Sequence, residues 1–118
     1  MAQKAAARGV PFVVVASVFR PQVALLNSGK EFPSKDPYVF QREVDKIAEK
    51  YGILVFNVLD DFRSIPHADQ YFYMADGHMN AKSHGILAQS LTRQLLEKGI
   101  LESGGCEAKS PVELSTQR

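Results

Sequence analysis

"VPFVVVASVF", residues 10–19, is a continuous apolar run dominated by β-branched residues. Alternating apolar and polar residues would mark a strand with one wet face. A run without alternation suits a strand covered on both faces in a parallel sheet. "ILVFNVL", residues 53–59, has the same character. Between them, Asp36 reads as an N-cap with Pro37 at the first helical position. Phe40, Val44, Ile47 and Tyr51 fall on one helical stripe, and Gly52 closes the helix. Strand, helix and strand in that order predict a right-handed parallel crossover, the repeating unit of α/β folds.

Working outward, residues 1–8 read as the end of a helix, with Arg8 in its last turn and Gly9 placed to stop it. The connection from Arg20 to Asp36 carries Pro21, Gly29 and Pro33 as breakers and is expected to be a long loop. A second loop, "DDFRSIPHADQYFYMADGHM" at 60–79, leads into a final helix over about 81–97. There Leu87, Leu91 and Leu95 stack four apart and Gly99 follows. The tail at 101–118 lacks periodicity and is expected to be disordered. Two strands and two full helices leave both sheet edges unpaired. The chain is therefore expected to be part of a larger α/β domain, or to complete its sheet with another copy as a two-fold dimer.

Composition excludes several classes. With 118 residues, 45% hydrophobic and 23% charged at a formal net charge of +1, the chain is at most one globular domain. No basic block offers a surface to nucleic acid or to anionic lipid. No apolar run approaches the roughly 20 residues of a membrane span, and 10–19 is too short for a signal peptide. Cys106 is the single cysteine, so no intrachain disulfide forms.

The candidate chemistry lies in "YMADGHMNAKSHG", 73–85, which leaves the carboxyl end of the second strand. In open parallel sheets that is the side where ligands bind. His78 can act as general base toward a hydroxyl nucleophile, with Asp76 holding the imidazole and stabilising its charged form. Asp-Gly before a helix is also ordinary turn chemistry. A metal reading would combine Asp76, His78 and His84, but zinc sites use three or four ligands at tighter recurring spacings. Asn80 is expected to cap the last helix, and His84, one turn in, to be a packed or capping histidine. His67 reads as a solvated loop residue. "NSGKEF" at 27–32 lacks the first glycine and the Ser/Thr of a phosphate loop and reads as a turn. Ser17, at the end of the first strand, stands where a nucleophile could sit, without the surroundings of a nucleophile elbow.

"DGHMNAKSHGILAQSLTRQL" (76–95) resembles the carboxyl-terminal block of the SGNH (GDSL-like) hydrolases. Its spacing is close to that of the variants related to alginate O-acetyltransferases. "ARGVPFVVVASVFRPQV" (7–23) and "DKIAEKYGILVFNVLDDF" (45–62) are similar to late elements of those proteins, so the likeness spans about residues 1–99. It implies a flavodoxin-like parallel fold, with residues 1–100 forming the carboxyl-terminal part of such a domain. Asp76 and His78 would then be the acid and base of a serine triad, acting on a small-molecule or carbohydrate acyl ester without a cofactor. Asn80 would be the helix cap, and Ser83 stands where relatives often carry glycine. The Gly-Asp-Ser nucleophile block and the glycine and asparagine blocks of the oxyanion hole do not occur in this sequence. The alternative is a non-catalytic α/β interaction module in which Asp76 and His78 only order a loop.

Overall fold

The computed structural model describes residues 1–29, 35–63 and 65–101. The 101–118 tail beyond Leu101, with Cys106, and part of the 27–32 turn lie outside those residues. In chain order the elements are α1 (Ala2–Ala7), β1 (Val13–Ala16), α2 (Arg20–Leu26), α3 (Val39–Tyr51), β2 (Leu54–Asn57) and α4 (Ala81–Glu97), with 3₁₀ turns at Leu59–Phe62 and Ala68–Tyr71. The two strands pair in parallel, Val13 opposite Leu54 through Ala16 opposite Asn57. The architecture is mixed helix and strand: a two-stranded parallel sheet with flanking helices.

Both strands are shorter than their apolar runs, because a strand extends only as far as its partner. Their cover is also thinner than expected. Ala16 and Phe56 are buried, but Val15 is 39% exposed. The densest packing lies beyond the strand ends, where Val18, Val23, Val58, Leu59, Phe62 and Phe72 form one buried cluster. Among the described residues each strand has a single partner, so both outer edges are open.

The expected 20–36 loop contains a helix, α2. Pro21 stands in its first turn, where the missing N–H breaks no helical bond. Gln22 secures the start: its side-chain oxygen accepts from Phe19 N at 3.2 Å, and its amide nitrogen donates to Pro37 O at 2.7 Å and to Gln41 Oε1 at 2.6 Å. Val23, fully buried, anchors the helix in the core.

Helix α3 begins two residues later than expected. Asp36 caps the preceding turn, its carboxylate accepting from Tyr38 N at 2.8 Å. Gly52, at φ 65°, closes the helix in the left-handed conformation that glycine adopts without penalty. The apolar stripe, however, faces outward: Phe40, Ile47 and Tyr51 are 40%, 59% and 65% exposed, whereas Gln41 and Ala48 are buried. Polar bonds to the strand ends set this rotation. Gln41 donates to Ser17 O at 3.3 Å, and Asp45 accepts from Asn57 Nδ2 at 2.9 Å. Ala48, the smallest residue on that side, lets the helix lie close along β2.

Helix α4 runs over the expected residues. Asp61 pins its middle, accepting from Ser90 Oγ at 2.6 Å and from both terminal nitrogens of Arg93 at 2.7 and 3.1 Å. Gln94 adds a bond to Asn57 O at 3.1 Å. Leu87 and Leu91 pack against the central cluster. No described helix is long and apolar enough to cross a membrane.

Two outcomes are expected from this architecture. Covering an open apolar edge of a few hundred Å² at about 25 cal/mol per Å² is worth several kcal/mol. The chain should therefore self-associate, and light scattering at micromolar concentration should give at least a dimer mass; a strictly monomeric folded species contradicts this. The Arg93 guanidinium, reinforced by the Ser90 hydroxyl, holds the Asp61 carboxyl below its ordinary range. A carboxyl depressed in the folded state stabilises above its unfolded pKa, and that contribution is lost as pH falls through the folded value. Asp61→Ala should cost about 2 kcal/mol at neutral pH in denaturant titration. Asp61→Asn should flatten the acid limb of the stability profile.

Candidate functional site

The loop from Tyr73 to Asn80 is built from local hydrogen bonds. Phe72 and Met79 form an isolated antiparallel bridge, and Tyr73 N donates to His78 O at 2.8 Å. Gly77 N donates to Tyr73 O, also at 2.8 Å. Gly77 has φ 74°, and a Cβ there would meet nothing within 4 Å, so backbone conformation and not space calls for glycine. The far end is fixed by Asn80, whose side-chain oxygen accepts from Lys82 N at 3.0 Å and Ser83 N at 3.3 Å, the expected cap of α4. Ser83, fully buried, donates its hydroxyl to Tyr71 O and ties the first helical turn to the loop's entrance.

Within this frame Asp76 and His78 meet twice. Oδ1 accepts from the His78 backbone N–H at 3.0 Å, and Oδ2 lies 3.1 Å from the ring Nδ1. A ring carrying its proton on Nδ1, toward the carboxylate, would keep the lone pair on Nε2, the arrangement a general base requires. The backbone N–H of His78, then its ring, hold the Asp76 carboxyl below the ordinary range. Both side chains are open to solvent, His78 at 79% and Asp76 at 57%.

The pair borders a groove of about 630 Å³ between Ser17–Pro21 on one side and Met74–Met79 on the other. Arg20, in the first wall, reaches Met74 Sδ in the second at 3.3 Å and is held by Asp69 Oδ1, outside the groove, at 2.8 Å. Ser17 and His78 thus share the groove, although no hydrogen bond joins them. The groove lies beside the carboxyl end of β1, since Ser17 directly follows that strand.

The other candidates fall away from this groove. His84 is exposed and neither packs nor caps. Its place, one turn past Asn80, turns it from the core that Ser83, Ile86 and Leu87 face. His67 is exposed at φ 52°, as a loop residue. Among the described residues no three His, Cys, Asp or Glu side chains come together as metal ligands. Sequence reasoning missed the carboxamide chain from Phe19 through Gln22 to Gln41 and Ser17 O, which fixes the groove's first wall. The available signal was Gln41 one heptad before Ala48, a polar residue on a helix's small-residue side.

Comparison with family models, with curated proteins and with solved structures gives no match.

The Asp76 carboxyl is expected to titrate below the ordinary carboxylate range by carbon-detected NMR. His78→Ala, which removes the ring but keeps the backbone N–H, should raise it only part of the way back. A carboxyl unmoved by that substitution would show that the ring does not contact it in solution.

Proposed function

We propose that this chain supplies the acid–base half of a serine acyl-transfer site. It is the carboxyl-terminal part of an SGNH-type α/β domain whose remaining strands, carrying the nucleophile, pair at the open sheet edges. The observation that supports the reading best is the Asp76–His78 contact beside a groove at the carboxyl end of β1. The resemblance of 76–95 to the SGNH carboxyl-terminal block adds the reaction class.

In this reading His78 Nε2 takes the proton of a serine hydroxyl as its oxygen attacks the carbonyl of an acyl ester. Asp76 holds the ring's orientation and offsets the imidazolium charge. The same proton passes to the departing alkoxide, leaving an acyl-serine. Water, or the hydroxyl of a carbohydrate acceptor, then adds under general-base assistance from His78 and releases the acyl group. The substrate is a small-molecule or carbohydrate acyl ester. General-base assistance contributes roughly 10²–10⁴-fold. The remaining rate enhancement belongs to the nucleophile and oxyanion donors of the completing segment.

One observation favours a second reading, the interaction module. Asp76 Oδ1 accepts from the backbone N–H two residues on, the local bond by which an Asp orders a turn without catalysis.

The two readings part in a single experiment. In the polypeptide that includes the completing strands, His78→Ala should lower kcat for an acyl ester by about three orders of magnitude or more, and Asp76→Asn by nearly as much. The chain on its own should show no hydrolysis of p-nitrophenyl acetate beyond that of free imidazole. Unchanged turnover in the His78→Ala protein leaves the interaction module. Robust hydrolysis by the chain alone, abolished by Ser17→Ala, would place the nucleophile at Ser17.

A further inference from the structure

The outward stripe of α3 is only partly covered within the chain. Phe40, Ile47 and Tyr51 are largely exposed, and Val44 between them is half-buried. The helix cannot roll to turn them inward, because Gln41 is bonded to Ser17 O and Asp45 to Asn57 Nδ2. Phe19 meets Phe40 edge to face, with centroids 5.4 Å apart, and holds that ring in position. The four apolar positions follow one another at spacings of 4, 3 and 4 residues, the seam spacing at which helices pack in pairs. The two flanks of the seam differ. On one, Gln41 and Ala48 are buried in the chain's own fold. On the other stand Glu43 near the amino end and Lys50 near the carboxyl end, both exposed.

We infer that this stripe is the self-complementary face of a two-fold dimer, in which α3 packs antiparallel against α3 of a second copy. The pattern selects that occupant. A two-fold axis between Asp45 and Lys46 sets Val44 opposite Ile47 of the second copy and Phe40 opposite its Tyr51. Every apolar position then meets an apolar one, as an isologous contact requires. The charges select the direction. Antiparallel helices bring Glu43 beside Lys50 of the other copy, and the symmetry makes that pair twice. Parallel helices would instead run each charged flank into the buried flank of the other copy, with Glu43 beside Ala48 and no ionic partner. A helix of 13 residues is about 20 Å long. Two such faces bury less than the roughly 1,200 Å² at which standard interfaces begin, so the affinity expected is micromolar. The inference does not rest on the acyl-transfer reading, since Val44, Ile47 and Tyr51 line no part of the groove beside His78.

The test is sedimentation velocity on the whole chain across the micromolar range, which gives the dimer Kd. Ile47→Asp, at a position 59% exposed, should raise that Kd at least tenfold. Glu43→Lys and Lys50→Glu should each raise it about fivefold, because each turns both pairs repulsive. The double variant Glu43→Lys/Lys50→Glu should return it to within about twofold of the unaltered chain. That recovery is specific to contact between copies. Within one helix Glu43 pairs with Lys46 at 2.9 Å, and the double variant leaves that pair broken. A chain that stays monomeric overturns the inference, as does a dimer indifferent to Ile47→Asp, which would place the association at the sheet edges. So does a double variant whose Kd is no lower than that of either single one.

Discussion

The parallel pairing of Val13–Ala16 with Leu54–Asn57 brings the carboxyl ends of β1 and β2 to one side of the molecule, and the other features are arranged around that fact. Each strand end is then held by a carboxamide. Gln41 bonds Ser17 O, Gln94 bonds Asn57 O, and Asn57 itself reaches Asp45. Backbone groups that leave a parallel ladder need partners, and here long polar side chains from α3 and α4 provide them. The same bonds set how the two helices sit. The buried cluster of Val18, Val58, Leu59 and Phe62 follows directly from the strand ends, so packing and ladder reinforce each other at the place where the groove opens.

What could be read from the sequence was chemistry completed within a few residues. Asn80 capping α4, Gly52 closing α3, and Asp76 meeting His78 across Gly77 depend on local geometry alone. What could not be read depended on distant partners. The strands stop short of their apolar runs because pairing, not hydrophobicity, limits them. Pro21 looks like a breaker until Gln22 is seen bonded to Pro37 and Gln41, fifteen or more positions away. The stripe of Phe40, Ile47 and Tyr51 would face the core if apolar burial alone oriented α3. Hydrogen bonds that Gln41 donates to Ser17 O and Asp45 accepts from Asn57 at the strand ends turn it outward. The outward stripe and the open sheet edges are two signs of the same condition, apolar surface without enough partners within the described residues.

That condition bears on the chemistry. The Asp76–His78 pair is mostly solvated, and in so high a dielectric an imidazolium charge of the kind the proposed reaction would develop gains little from Asp76. Excluding water from the groove would strengthen the interaction severalfold without moving either residue. In the proposed acyl-transfer reading, strands docking at the open edges would bring both the cover and a nucleophile facing His78. The geometry of the pair is fixed locally, by Gly77 and by the cap at Asn80, so it can precede that assembly.

The most direct measurement is a crystal structure of the assembled protein after reaction with a phosphonate ester that traps an activated serine. The account predicts one phosphonylated serine outside this chain's own residues, its Oγ within about 3 Å of His78 Nε2, with Asp76 still on Nδ1. A protein that takes up no phosphonate, or whose labelled serine lies away from His78, would contradict it.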